Sequence, residues 1–341
     1  LSLTADFYIR DTKGILGKGK SLPSIYGASE PQMNANNLRT KGYELVLGWR
    51  DSFKLAGSTF SYGITGTFSD YTAEYTKCDN PTGLIGDPYV GKKYGEIWGY
   101  KVDGLFRNDK EAAEYASRID LSTVASGYYT ATGAYGKGVR GGDIKYLDLN
   151  GDNIVNGGKG TLDDPGDRRV IGNSSPRYQY GASLNFSWYG FDVSVFMQGI
   201  GRLDWYPGAD NLRFWGPYCR PYATFVPKNF MSQVWSEENP DAYFPRARAY
   251  TSLNSNSGTA YYTNDRYLQN LAYCRLKNLT IGYTIPRRLT SKVGIKECRI
   301  YFSGENLATW SALESDFLDP EQAAADSDKK SNVYPWCKTY S

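Results

Sequence analysis

Residues 178–199 alternate apolar and polar side chains in two arms around the pair Tyr189-Gly190. Side chains alternate between the faces of a strand, so each arm has one apolar face and one small, polar face. The apolar positions are Tyr178, Tyr180, Ala182, Leu184, Phe186 and Trp188, then Phe191, Val193, Val195 and Met197, with Phe196 as the exception. Each arm has the ~9–11 residues that a tilted strand needs to cross a bilayer. A soluble sandwich shows the same alternation, so the hairpin alone leaves both architectures open.

The same period of two recurs along the chain and predicts an all-β, antiparallel protein. The predicted strands are 1–10, 41–50, 58–70, 178–188, 190–200, 271–285 and 297–307, with an eighth beginning at 338. Short connections at 51–57, 189–190 and 286–296 alternate with long ones at 11–40, 71–177, 201–270 and 308–337. Outer-membrane barrels combine short periplasmic turns with long outer loops. We therefore expect 71–177 and 201–270 to be extracellular.

Aromatic residues lie where these strands meet the short turns. Trp49, Trp188, Tyr189 and Tyr283 occupy such positions. Membrane barrels carry aromatic girdles at both interfaces, which would explain this placement. The alternative is that aromatic residues simply flank β-hairpins.

Composition narrows the function classes. No apolar run approaches the ~20 residues of a spanning helix, although Gly (37) and Tyr (30) are abundant. The net charge of +3 is too small to indicate nucleic-acid binding, and five cysteines without a CxxC pair give no zinc pattern. The chain has no histidine, which excludes Ser-His-Asp and Cys-His catalysis. We predict no enzymatic activity.

The long segment 71–177 is expected to contain small elements of its own, because structureless loops of that length are uncommon. Residues 94–106 resemble a loop hairpin, and 110–117 a short helix capped by Asn108 or Asp109. Strand patterns begin at Leu1 and again at 338, so we expect the chain to be part of a longer polypeptide.

Several motifs closely resemble the C-terminal half of SusC/RagA-type TonB-dependent transporters. They are Trp98-Gly-Tyr-Lys-Val-Asp-Gly-Leu-Phe106, Gly142-Asp-Ile-Lys-Tyr-Leu-Asp-Leu-Asn-Gly-Asp152, Asp167-Arg-Arg-Val-Ile-Gly-Asn173, Tyr189-Gly-Phe-Asp192, Arg275-Leu-Lys-Asn-Leu-Thr-Ile-Gly-Tyr283 and Ser303-Gly-Glu-Asn-Leu307. They follow the family order across nearly the whole chain. The resemblance implies the last strands of a 22-stranded transmembrane β-barrel in the bacterial outer membrane, without the plug and TonB box.

The resemblance also implies a function. The whole protein would import oligosaccharides or oligopeptides, with a SusD-like lipoprotein as a lid and the TonB complex as the energy source. Two alternatives remain at this point. A passive porin-like channel would share the strands, and a soluble calcium-dependent carbohydrate-binding β-protein would share the alternation.

One constellation has metal chemistry. Asp148, Asn150 and Asp152 stand at alternate positions of a glycine-containing loop, and calcium prefers six to eight oxygen ligands. We predict a structural Ca²⁺ held by these side chains and the Ile154 carbonyl, with Asp167 as the distant ligand. An EF-hand differs, because Asn153 replaces its turn glycine. The alternative is a metal-free turn held by Asx side chains.

The long loops are rich in aromatic residues that could stack on sugars or contact peptides and the lid. The candidates are Trp98, Tyr100, Trp205, Trp215, Tyr218, Trp235 and Trp310. The alternative for each is that it forms the small core of a long loop, since aromatic side chains dominate buried area.

Overall fold

This computed structural model describes residues 1–18, 25, 27, 31–130, 138–219, 226, 228–248, 258–315, 318–325 and 335–341. Its largest element is an eight-stranded antiparallel sheet in the order β1-β2-β3-β8-β9-β12-β13-β14. These strands are β1 Ser2–Lys18, β2 Gln32–Leu55, β3 Ser58–Lys77, β8 Arg177–Trp188, β9 Phe191–Arg202, β12 Tyr273–Thr284, β13 Arg299–Ser311 and β14 Thr339–Tyr340. The order follows the chain and β1 and β14 form the two edges, so the predicted antiparallel β-structure is confirmed.

Two of the three predicted short connections contain tight two-residue turns, and residues 51–55 of the first belong to β2. Tyr189 and Gly190 have φ values of 48° and 83°, and Ala56 and Gly57 have 47° and 82°. Two consecutive residues with positive φ are typical of the type I′ turn, whose twist matches that of the strands it joins. The two turns also contact each other, because Trp188 Nε1 donates to the Leu55 carbonyl at 3.3 Å. Neighbouring hairpins are therefore joined at this end of the sheet.

The first three strands are longer than predicted. β1 continues to residue 18, β2 begins at 32 and β3 ends at 77, so the predicted connection 11–40 is mostly strand. The extensions at 11–18 and 32–40 are mostly polar and lack the alternation that indicates a strand, whereas 71–77 still alternates apolar and polar residues. Backbone pairing holds them, together with the Arg39–Asp11 ion pair at 2.8 Å.

A second region, here called the loop domain, is built from the described residues of 78–176, 203–272 and 312–325. Its strands are β4 Glu96–Tyr100, β5 Val102–Leu105, β6 Ile144–Tyr146, β7 Arg168–Asn173, β10 Asp204–Trp205 and β11 Gln269–Asn270, and its helices are α1 Asp109–Ala116, α2 Ser126–Thr130 and α3 Leu212–Trp215. Short 3-10 turns cover 216–218, 230–233, 259–261 and 323–325. The helix α4 Arg287–Thr290 and a 3-10 turn at 291–293 lie instead in the connection between β12 and β13.

The structure confirms one of two sequence predictions for the loop domain and contradicts the other. The predicted helix is present, and Asn108 caps it by accepting the Glu111 N–H at 2.9 Å. The predicted hairpin at 94–106 is wrong, because β4 pairs with β7 and β5 pairs with β6. Partners that lie some 40 to 75 residues away in sequence leave no local signal, so the alternation alone could not identify them.

The hydrophobic core lies in the loop domain. Its fully buried members include Phe106, Tyr146, Trp215, Tyr267 and Leu271. Ala73 and Tyr273, near the strand ends that join the loops, are the buried apolar residues of the large sheet within the described chain. None of the helices in the described residues has the length and apolar character needed to cross a membrane.

Candidate functional site

The large sheet has one apolar face that continues across its strands. Leu184 pairs with Val195 and with Ile64, and Phe186 pairs with Val193, so these residues share a face. Through strand pairing, the same face extends to Leu45 and Leu47 of β2 on one side and to Ile281, Ile300 and Phe302 of β12 and β13 on the other. Large side chains on it are exposed, with Leu184 at 41% and Ile300 at 65%. The face is therefore a continuous apolar surface.

The opposite face is polar in the same strands. Asn185 pairs with Ser194, and Ser187 pairs with Asp192. Asp192 forms an ion pair with Arg299 of β13, with 2.5 Å between the Oδ2 and Nη2 atoms. The predicted division of the hairpin into an apolar and a polar face is thus present in the strand register.

Aromatic pairs border the apolar face at the tight turns. Trp49 donates from Nε1 to the Tyr62 hydroxyl at 3.0 Å, and the Phe191 and Tyr283 rings lie 4.5 Å apart. Trp188 and Tyr189 also contact each other at this end. Trp188, Tyr189 and Tyr283 therefore lie in one zone. The prediction is wrong for Trp49, because β2 continues to Leu55 and Trp49 pairs with Ile64, further along the sheet. At the other end of the sheet the ion pair Asp70–Arg177 links β3 to β8 at 2.5 Å.

Arg275 is a buried cation on the polar face that the sequence did not single out. Its guanidinium contacts Asp319 at 2.7 Å and Glu321 at 2.8 Å, and its side chain is 2% exposed. It also donates to the Thr309 hydroxyl of β13 at 3.0 Å. Because a buried charge needs full pairing, Arg275 fixes the segment 318–325 against the end of β12. Its place in the alternation, among otherwise small polar positions, was the only sequence signal.

The loop domain contains most of the predicted aromatic contact residues. Trp205, Trp215, Tyr218, Trp235 and Tyr100 are buried in its core, Trp98 is half-buried and Trp310 is 57% exposed at the end of β13. Phe244 is the centre of the aromatic cluster, with ring centroids 5.4 Å from Phe230 and 5.8 Å from Tyr218. The five buried rings stabilise the loops, and their faces are covered by neighbouring side chains.

Two buried polar links join the long loops to each other. Asp143 and Arg248 form an ion pair at 2.5 Å, and the guanidinium lies 4.0 Å from the centroid of the Tyr128 ring. Burial raises the pKa of the Asp143 carboxyl from 3.8 to about 6, although Arg248 and the Arg140 N–H favour its ionised form. Asn264, which is fully buried, donates to the Tyr146 hydroxyl of β6 at 3.4 Å and to the Tyr206 hydroxyl at 3.1 Å. Arg220, another loop arginine, lies outside the described residues.

The predicted calcium loop is held by hydrogen bonds to its own backbone. Asp148 accepts the Gly151 and Asn153 N–H groups, and Asp152 accepts the Ile154 N–H at 2.8 Å. The Asn150 amide donates to Asp152 Oδ2 at 2.9 Å, while its oxygen accepts the Asp152 N–H. This pattern matches Asx turns.

Asp167 does return to this loop in spite of the intervening segment. Its carboxylate accepts the Leu149 N–H at 2.7 Å and the Asn156 N–H at 2.8 Å, and the residue is fully buried. Within the described ranges, no group of three acidic or cysteine side chains is placed to hold one metal ion. Calcium binding stays a prediction, and the hydrogen bonds of the loop are those of Asx turns.

Comparison with known proteins identifies relatives of this chain. It is 24% identical to TonB-dependent receptor P3 of Formosa agariphila over 98% of its length, and 25% identical to TonB-dependent receptor P26 of that organism over 93%. The chain is homologous to TonB-dependent receptors. The resemblance read from its motifs is confirmed at that level, although no family model matches the chain. The chain spans 30% and 29% of the length of these two relatives.

Solved structures show the same fold. The structure of the RagAB peptide transporter superposes with a TM-score of 0.64 over 99% of this chain and 32% of the other, at 18% identity. The RagAB peptide importer in the 'closed-closed' state superposes with a TM-score of 0.58 at 19% identity, again over 99% of this chain and 32% of the other. The fold of the sheet and loop domain is therefore that of a segment of these transporters.

Proposed function

We propose that this chain forms part of the wall and the extracellular loops of an outer-membrane importer of the SusC/RagA type. The observation that carries the proposal is the apolar face, which runs unbroken from β1 to β13 while the opposite face is polar apart from Val46 and Phe196. Water on both sides would leave that surface unfavourably exposed, whereas a barrel wall needs lipid on one side and a polar interior on the other. The homology to TonB-dependent receptors supports the same assignment.

Oligosaccharides or oligopeptides are the proposed cargo, and a SusD-like lipoprotein and the TonB complex the proposed partners. The named peptide transport of the RagAB neighbours favours peptides, while the aromatic loops suit either class. In this mechanism the loop domain stays folded as a rigid wall of the ligand chamber, and the chain performs no covalent chemistry. The polar face offers hydrogen bonds along the interior, where Asp192 and Arg299 neutralise each other.

Membrane topology provides the direct test. Single cysteines at Glu114 in α1 and at Ser291 in the β12–β13 turn, each in a cysteine-free full-length protein, are exposed sites at the two ends of the sheet. A membrane-impermeant maleimide added to intact cells should label Glu114→Cys and leave Ser291→Cys unlabelled until the cells are lysed. Labelling of Ser291→Cys from outside would overturn the topology, and recovery of the protein in the soluble fraction would overturn the membrane assignment.

Calcium remains a proposal for the loop 148–167. Its support is that Asp148, Asn150, Asp152 and Asp167 converge on one loop, where clustered carboxylates without a cation repel each other. The ion would supply rigidity to the segment that enters β8. The oxygen-only donor set suits a hard cation and not zinc.

A further inference from the structure

The loop domain contains a cleft of about 320 Å³ next to β4 and β7. Three aromatic side chains, a glycine-rich turn and two cations line it: Trp98, Tyr100, Tyr262, Gly157–Gly160, Lys159 and Arg168, with Gly99 and Thr263 between them. Ligand pockets begin at roughly 300 Å³, so the cleft has room for a single residue of a larger ligand. No acidic side chain is among these lining residues.

Three chain segments hold the cleft in shape. Tyr100 pairs with Arg168 across the β4–β7 ladder, and its N–H donates to the Thr263 carbonyl at 2.8 Å. The Tyr100 and Tyr262 rings meet edge to face, with 5.9 Å between their centroids. The walls therefore rest on backbone pairing and ring contacts inside the folded loop domain.

The glycines allow the Arg168 guanidinium to lie flat against the turn. Arg168 Nη2 donates to the Gly157 carbonyl at 2.8 Å. A Cβ at Gly157 would lie 3.0 Å from the guanidinium carbon, and a Cβ at Gly160 would lie 2.9 Å from Nη2. Any larger residue at these two positions would push the guanidinium away, so the turn sequence sets the position of the charge.

Among the described residues, the two cations of the cleft have no ion-pair partner, and the Asp164 carboxylate lies against Gly158 in the same turn. Asp167, the nearest acid in sequence, turns its carboxylate to the N–H groups of Leu149 and Asn156. Among the described residues, no carboxylate lies within ion-pairing distance of Lys159 or Arg168. The Nε atom of Arg168 is buried and lacks a hydrogen-bond partner. A partly buried guanidinium beside an exposed lysine favours an anionic ligand, because hydrogen bonds from a charged donor to a carboxylate are stronger than neutral ones.

We propose that this cleft binds a carboxylate carried by the transported ligand. Arg168 and Lys159 pair with the carboxylate, and the rings of Trp98 and Tyr262 pack against the adjoining apolar face of the same ligand residue. A uronic acid unit of an oligosaccharide and an acidic residue of a peptide share this chemistry. That the ligand is transported cargo rests on the proposed import function, whereas the binding of a carboxylate rests on the cleft alone.

The test is calorimetric titration of the full-length protein in detergent with two carboxylated probes, digalacturonate and the blocked dipeptide N-acetyl-Leu-Glu-amide. The dimethyl ester of the disaccharide and N-acetyl-Leu-Gln-amide, neither of which has a carboxylate, serve as neutral counterparts. One carboxylated probe at least should bind, its neutral counterpart should bind at least tenfold more weakly, and the responding probe identifies a sugar or a peptide source. Binding should weaken as salt is raised, because exposed charge pairs are screened.

Lys159→Gln should weaken binding about 3- to 5-fold, as expected of an exposed ion pair. Arg168→Gln should weaken it more than tenfold, because a charge-assisted pair is lost. Lys110→Gln is the matched control, since Lys110 is 87% exposed on α1 and lies outside the cleft. It should bind like the unchanged protein.

Three results would overturn the proposal: no binding of either carboxylated probe at millimolar concentration, equal binding of the neutral counterparts, or unchanged affinity in both Lys159→Gln and Arg168→Gln. Uptake measured in cells separates this proposal from the import function. A protein that binds the carboxylate through Lys159 but transports nothing would contradict import and leave the cleft assignment standing. Normal import without carboxylate binding would contradict the cleft assignment only.

Discussion

The large sheet and the loop domain use the same residue types in opposite ways. In the sheet, Phe7 is 78% exposed on a surface formed by one side of every strand. In the loop domain, Trp215 is completely buried among Phe214, Phe244 and Tyr267. Apolar side chains are buried in one region and exposed in the other. These two arrangements cannot both be favourable in water, because each Å² of apolar surface left in water costs roughly 25 cal/mol. The two regions are built for different solvents.

This comparison also separates what stabilises each region. The loop domain has a conventional core and buried polar links such as Asp143–Arg248. The sheet is stabilised by backbone pairing, by side-chain contacts between neighbouring strands and by the medium that covers its apolar face. Mutations at matched apolar positions should therefore have different costs and different dependence on the membrane.

The largest expected effect is in the loop core. Trp215→Ala should lower the free energy of unfolding of the loop domain by about 3–5 kcal/mol, because it removes a fully buried indole and leaves a cavity. Trp310→Ala is the control, since Trp310 is 57% exposed. Hydrogen exchange followed by mass spectrometry on the full-length protein should show lost protection in 203–272 for the first variant only. Equal losses would show that the loop core does not carry this stability.

The next effect tests the solvent of the sheet. Leu184→Arg should cost ~2–4 kcal/mol in refolding into lipid bilayers, whereas Asn185→Arg, on the polar face one residue away, should cost much less. Urea titration in bilayers measures both values. If the two substitutions cost the same, the apolar face does not contact lipid.

A smaller, pH-dependent effect is expected from Asp143. Its folded pKa of about 6 lies above the ordinary 3.8, so the folded state binds an extra proton between these values. Stability contributed by this group is therefore present below about pH 4 and is lost as pH rises to about 6, by at most ~3 kcal/mol. Thermal unfolding of the loop domain from pH 4 to pH 7 should show a slope that is missing in Asp143→Asn. Identical slopes in both proteins would contradict the assignment.

The smallest effect concerns calcium. Millimolar calcium should increase exchange protection of 148–176 by about 1–2 kcal/mol if it exceeds its dissociation constant roughly tenfold. Asp152→Ala should abolish that gain and weaken docking of the lid without altering membrane insertion, while Asp163→Ala, on the exposed part of the loop, should not. Protection that is the same with calcium and with chelator would leave the Asx turns as the explanation.

The sequence predicted the sheet better than the loops, for a physical reason. A half-exposed strand carries its own signal in a period of two, and all eight predicted strands are present. The extensions at 11–18 and 32–40 were missed because polar residues on both faces erase that period. The pairing of β4 with β7, the cluster around Phe244 and the ion pairs of Arg275 and Arg248 depend on partners far away in sequence, and no single segment records them. The buried position of Trp215 is therefore visible only in three dimensions.

The way in which residues 78–176 return to their starting point has a consequence for the order of folding. β3 and β8 are neighbours in the sheet although the whole of this segment separates them. Joining distant strands costs closure entropy that grows with the length of the intervening chain. Here the loop closes on itself, because the Tyr94 N–H donates to the Ala73 carbonyl and the Ser174 N–H donates to the Gly95 carbonyl. Once these contacts have formed, Ala73 and Ser174 are held near each other, and the two strands can pair as those of a hairpin do. We therefore expect the loop domain to act as a template for assembly of the large sheet.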